Sequence, residues 1–123
     1  MRAPHLRRGD YAERVAWRHL QTHGLTLVRR NWRCKLGEID LICAEGDYVV
    51  FVEVRYRRNP RYGFAAETVD RHKQAKLIRA AKFFLQRYPE YGDRPLRFDV
   101  VAVQGRDDDL TLEWIPDAFQ VLA

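Results

Sequence analysis

The segment GEIDLICAEGDYVVFVEVRYR, residues 37–57, constrains the fold more than any other part of this 123-residue chain. Two β-branched, apolar runs flank Gly46-Asp47, and glycine at the first central position is what a two-residue type II′ hairpin requires. So short a turn fixes the register. Glu45 faces Tyr48, Asp40 faces Glu53, and Glu38 faces Arg55. Side chains alternate along a strand, so Glu38, Asp40, Glu53 and Arg55 share one face. Ile39, Leu41 and Cys43 share the other with Val50, Val52 and Val54, and that face reads as core.

Opposed residues have Cβ atoms about 4.5–5.5 Å apart, and like charges placed so are destabilising. A shared proton or a bound cation relieves the repulsion. Mg²⁺, which takes one or two carboxylates and fills its remaining positions with water or phosphate oxygens, suits Asp40 and Glu53, and Mn²⁺ is its natural substitute. A purely structural reading stands beside it. Glu38 and Arg55 then form a salt bridge, while Asp40 and Glu53 are solvated or paired with nearby arginines.

The remaining chain supplies elements on either side of this hairpin. Tyr11, Ala12, Val15, Ala16, His19 and Leu20 mark one stripe of a helix running from about Gly9 or Asp10 to His23, stopped by Gly24. Leu25 to Trp32 reads as a strand preceding the hairpin. Residues 59–64 are a loop punctuated by proline and glycine. Leu77, Ile78, Ala81, Phe84, Leu85 and Tyr88 give the apolar face of a second helix over Thr68–Tyr88, ended by Pro89. Strands follow at Leu96–Val103 and Leu110–Ile115. The order αβββαββ predicts an α/β domain with a mixed sheet and helices packed on it, and 123 residues suffice for one domain only.

Composition narrows the class. Hydrophobic residues make up 46% and charged residues 32%, which suits a globular chain and argues against disorder. No apolar run nears the roughly 20 residues that span a bilayer, and the charged N-terminal stretch has no signal-peptide pattern, so a cytoplasmic location is expected. Cys34 and Cys43 read as reduced thiols. The net charge of +5 is unevenly spread. Residues 1–35 carry +7, residues 36–54 carry −5, residues 55–82 carry +7 and residues 83–123 carry −4. An acidic block between two basic ones suits a polyanion handled around a few carboxylates, or else an ordinary solvated basic face.

Several segments together resemble the bacterial YraN family: G-x-x-x-E-R-x-A-x-x-x-L near the N-terminus, N-W-R-C-K-x-G-E-I-D-L-I, F-V-E-V-R-Y-R, V-D-R-H-K-Q and R-F-D-V-V-A-V. That family is similar to the restriction-endonuclease-like PD-(D/E)xK superfamily and, within it, to Holliday junction resolvases. The resemblance implies a three-layer fold with one active site on the hairpin. It places the superfamily's aspartate on Asp40, its glutamate on Glu53 and its helix carboxylate on Glu13. Its lysine falls on Arg55, a departure, because arginine stays protonated and cannot serve as a general base. Arg55 can still hold a phosphate oxygen or offset developing charge. Glu13 has a second reading as a residue favouring the helix dipole or completing a capping arrangement.

Arginines and flat rings interleave after the hairpin. Arg57, Arg58, Arg61 and Tyr62 can grip phosphates and stack on bases, and so can Tyr56, unless it belongs to the core. Lys73 and Gln74 open the second helix, whose basic set also includes Arg71, Lys76, Arg79 and Lys82. The expected function is nucleic-acid binding, most naturally of DNA, with Mg²⁺- or Mn²⁺-dependent endonuclease activity. Asp40, Glu53 and Arg55 are its catalytic residues, and Asp40, Glu53 and Glu13 its metal ligands. The rivals are a non-catalytic binder of branched or single-stranded nucleic acid, which Arg55 favours, and a protein-interaction module using the acidic 107–109 turn and residues 118–123. A homodimer is compatible with a resolvase-like role, but no residue pattern indicates one.

Overall fold

A computed structural model describes residues 8–58, 69–106 and 109–121. Their elements follow the expected order: α1 (Arg8–Thr22), β1 (Thr26–Cys34), β2 (Gly37–Glu45), β3 (Tyr48–Arg57), α2 (Arg71–Arg87), β4 (Leu96–Arg106) and β5 (Asp109–Phe119). A single 3₁₀ turn, Pro89–Tyr91, separates α2 from β4. The strands form one mixed sheet in the order β1-β2-β3-β4-β5, with β3 and β4 parallel and every other pair antiparallel. A parallel pair needs a long crossover, and α2 supplies it. The α/β class and its three layers are therefore as expected. Among the described residues no helix is long and apolar enough to cross a membrane.

The hairpin holds the predicted register from Glu45–Tyr48 to Leu41–Val52. Gly46 has a φ of 57° while Asp47 stays out of the left-handed region, the combination a type II′ turn needs. The faces differ from the sequence reading, because both are buried. Ala12, Ala16 and Leu20 of α1 pack on Leu41, Cys43, Val50 and Val52. Leu77, Ala80, Ala81 and Phe84 of α2 pack on Ile39, Ile42, Val49 and Phe51. Ile39 and Leu41, two residues apart, thus enter opposite cores. Strict alternation fails at Asp40, and Asn31 on the neighbouring strand carries a φ of 51°.

Boundaries shift for local reasons. α2 begins at Arg71, three residues after the expected start, because Asp70 is its N-cap and accepts from the Lys73 amide at 2.9 Å. β5 runs on to Phe119 through a wide irregularity. Between the pairs Phe98–Phe119 and Val100–Ile115, three residues of β5 face Asp99 alone. Pro116 falls in this break, where its missing N–H costs no ladder bond. Phe51, Phe98 and Phe119 stack side by side across β3, β4 and β5, with centroids 5.4 and 5.0 Å apart.

The fully buried Asp99 carboxylate fills the break in β5. It accepts from Arg97 Nε and Nη2, Trp114 Nε1 and the Asp117 amide, all at 2.9–3.0 Å. Arg97 reaches on to Glu45 at 2.7 Å, tying the hairpin turn to β4. Asp99→Ala strands a guanidinium, an indole N–H and an amide at once. We expect it to lower unfolding free energy by about 3–5 kcal/mol in urea denaturation, the range for breaking one side of a buried ion pair. Asp99→Asn, which keeps acceptor capacity, loses less.

Candidate functional site

The β2–β3 ladder stops one step short of Asp40 and Glu53. Beyond Leu41–Val52 the Val54 amide has lost a ladder partner, and the Asp40 carboxylate replaces it, accepting at 2.8 Å. A side chain thus stands in for main chain and props the strands apart. The opening is a cleft of about 270 Å³ lined by Ala12 and Glu13 of α1, Glu38 and Asp40 of β2, residues 53–56 of β3, and Lys73 of α2.

Glu53 follows Phe51 by two residues on β3 and faces α2. It is only 3% exposed. Arg55 Nη1 and Lys73 Nζ both approach its Oε2, at 3.2 and 3.5 Å. Its Oε1 is buried and has no hydrogen-bond partner among the described residues. Leaving a buried charged acceptor unpaired is costly, so an orphaned oxygen in a polar cleft marks a place for a cation or water. Glu13, Glu38 and Asp40 each bring one carboxylate oxygen into a set lying within 4.8 Å of one another. The residues therefore fit an oxygen-seeking divalent ion.

The electrostatics agree with crowding. Burial, followed by the Glu53 charge, pushes Asp40 well above the carboxylate range, while the Val54 amide pulls it down. Burial also raises Glu13 from 4.5 to about 6, helped by the charges of Asp10 and Glu38 and opposed by the Asn31 side chain and Arg30. Both carboxyls hold their protons better here than in water.

Asp40, Glu53, Arg55, Glu13 and Lys73 meet in the cleft. With α1 beginning at Arg8, Glu13 is its sixth residue, beyond the N3 capping position, and it turns toward the cleft. Glu38 does not pair with Arg55. Its partner is Arg33 across the β1–β2 ladder at 3.1 Å, and Arg55 bends back to Glu53 instead. Glu38 is the cleft carboxylate that the ligand set omitted, although its shared face with Asp40 was visible in the hairpin register. Tyr56 lines the cleft and anchors β3 by donating to the Gly105 carbonyl at 2.6 Å. Arg57 and the exposed Arg58 lie past the cleft lining. Gln74 points away from it, lining a separate groove on α2. Arg61 and Tyr62 lie outside the described residues.

Comparison with known proteins adds family relationships. Residues 12–103 match the profile described as "Uncharacterised protein family UPF0102". The chain is 50% identical over 115 residues to a UPF0102 protein of Pseudomonas fluorescens (strain Pf0-1), covering 94% of each. It is 50% identical over 112 residues to a UPF0102 protein of Stutzerimonas stutzeri (strain A1501), covering 91% of this chain and 93% of the relative. A UPF0102 protein of Pseudomonas putida (strain GB-1) is 49% identical over 115 residues, covering 93% and 94% respectively.

The raised carboxyls give a signed pH dependence. Over the window from about pH 4 upward, through about 6 for Glu13 and beyond for Asp40, these two carboxyls bind more protons in the folded state than in the unfolded one, outweighing the opposite effect of His19, which burial lowers. Stability therefore falls as pH rises. In EDTA, thermal unfolding followed by circular dichroism should show a lower midpoint at pH 7.5 than at pH 5.5. Asp40→Asn should flatten that slope. An Asp40→Asn slope as steep as the parent's would contradict the assignment.

Proposed function

The chain belongs to the uncharacterised protein family UPF0102, and from the geometry of its cleft we propose that it binds nucleic acid and hydrolyses phosphodiester bonds there with a divalent metal. The observation that carries this reading is the orphaned Glu53 Oε1 in the same cleft as the clustered Glu13, Glu38 and Asp40 oxygens. Asp40 and Glu53 would hold Mg²⁺ or Mn²⁺, with Glu13 and Glu38 completing the ring. The bound ion supplies an activated water and polarises the scissile phosphate. The resemblance to PD-(D/E)xK nucleases, and to Holliday junction resolvases among them, supports the same reaction class and DNA as the substrate.

The remaining work falls to the chain's own groups. Arg55 and Lys73 converge on Glu53 Oε2, which orients that carboxylate with Oε1 directed away from them. When a phosphate enters, the same two cations can donate to its non-bridging oxygens and offset charge in the in-line displacement. Arg55 cannot take a proton from the attacking water. Water is the nucleophile, so no covalent enzyme intermediate forms.

A second reading follows from one observation. Arg55, standing where the superfamily has a lysine, is already engaged with Glu53. A cleft so neutralised suits a protein that binds nucleic acid without cutting it.

Labelled single-stranded, duplex, flap and four-way-junction DNA, each incubated with Mg²⁺, Mn²⁺ or EDTA, separates the two. We expect metal-dependent cutting that Asp40→Asn and Glu53→Gln each reduce by about 10²-fold or more, and Lys73→Met by about tenfold. Binding without cutting in either metal would sink the hydrolytic reading and leave the binder. Absence of both would sink nucleic acid as the partner.

A further inference from the structure

Helix α2 breaks the usual pattern of a solvated helix face. Its 17 residues, RHKQAKLIRAAKFFLQR, include six lysines and arginines and no acid. Cations three apart along a helix, as at Lys73, Lys76, Arg79 and Lys82, repel by a few tenths of a kcal/mol per pair. Arg71 and Lys73 also sit in the first turn, at the positive end of the helix dipole, where the one acid on the helix's own segment is the N-cap Asp70. Lys73 finds Glu53. Arg71, Lys76, Arg79 and Lys82 make no ion pair with another described residue. Among the described residues nothing compensates the charge of these four.

Three of those cations border one depression. A groove of about 550 Å³ runs between α2 and the end of β5, with Arg71, Arg79 and Lys82 along it and Ile78, Phe119 and Val121 on its apolar side. Among the described residues no acid lines it. From Arg71 to Lys82 the cations extend about 16 Å along the helix axis at 1.5 Å per residue. The groove and the carboxylate cleft meet at the first turn of α2, where Lys73 faces the cleft and Arg71 and Gln74 face the groove.

We propose that this α2–β5 groove is a second nucleic-acid contact, a track for the phosphodiester backbone flanking the segment held in the cleft. The inference rests on the nucleic-acid reading of the cleft and assigns where the flanking strand runs. Charge complementarity selects the occupant: a row of cations with no acid beside them among the described residues fits a linear polyanion. Backbone contacts of this kind position a strand without reading its sequence.

The test is the salt dependence of binding. Fluorescein-labelled single-stranded, duplex and four-way-junction DNA would be titrated with the full chain in EDTA, at several salt concentrations, by anisotropy. The triple variant Arg71→Ala/Arg79→Ala/Lys82→Ala keeps helix-forming residues at exposed positions. A charge-matched control, Arg14→Ala/Arg18→Ala/Arg106→Ala, removes three exposed cations elsewhere. Each phosphate contact contributes about 0.7–0.9 to the slope of log affinity against log salt. We expect the groove variant to lower that slope by about 2 and the control by less than 1. An unchanged slope, or equal loss in the control, would overturn the groove while leaving the cleft reading intact. No DNA binding by the parent at any salt would overturn both. Calorimetric Mn²⁺ binding that Asp40→Asn abolishes would show the cleft to be a metal site even then.

Discussion

One hydrogen bond organises the site: the Val54 amide donating to the Asp40 carboxylate at 2.8 Å. In an ordinary hairpin that amide belongs to the ladder. Here it is satisfied by a side chain, so β2 and β3 can part without orphaning that amide. The parting makes room for the cleft and lets Ile39 cross to the α2 core while Leu41 stays against α1. It also leaves Glu53 under the first turn of α2, where Arg55 and Lys73 reach it. The site is therefore the place where the sheet gives up its regularity.

Stability and function pull against each other there. Four carboxylates line a partly dry cleft, and burial, with neighbouring negative charge second, raises two of them. Elsewhere the same fold handles a buried carboxylate differently. Asp99 receives four hydrogen bonds, two of them from the Arg97 guanidinium that also reaches Glu45. One acid is saturated and acts as a clamp. The other, Glu53, keeps an oxygen with no donor among the described residues. That contrast within one sheet is what separates a structural charge from a candidate ligand.

Much of this was legible in the chain. Gly46-Asp47 set the register through Leu41–Val52, the apolar spacing located both helices, and the shared face of Asp40, Glu53 and Arg55 pointed at the cleft. The illegible parts have physical causes. A period-2 reading cannot anticipate a strand whose alternation fails, so Ile39 was placed on the wrong face and Glu38 was given Arg55 as its partner. The hairpin was read as half-buried because its charged residues cluster at one end, although α2 covers the face behind them. The break in β5 depends on Asp99 meeting Trp114 and Asp117, a tertiary contact that local pattern does not encode. Gln74 followed Lys73 in sequence but not in space, since one helical step of 100° separates the cleft from the groove.

The central claim is that the carboxylate cleft is a divalent-cation site. The most direct measurement is anomalous diffraction from crystals of the protein soaked in Mn²⁺. The account predicts one strong peak bonded to an Asp40 oxygen and to Glu53 Oε1, absent from crystals of Glu53→Gln. A cleft that stays free of Mn²⁺ while Asp40 and Glu53 share a proton would contradict it.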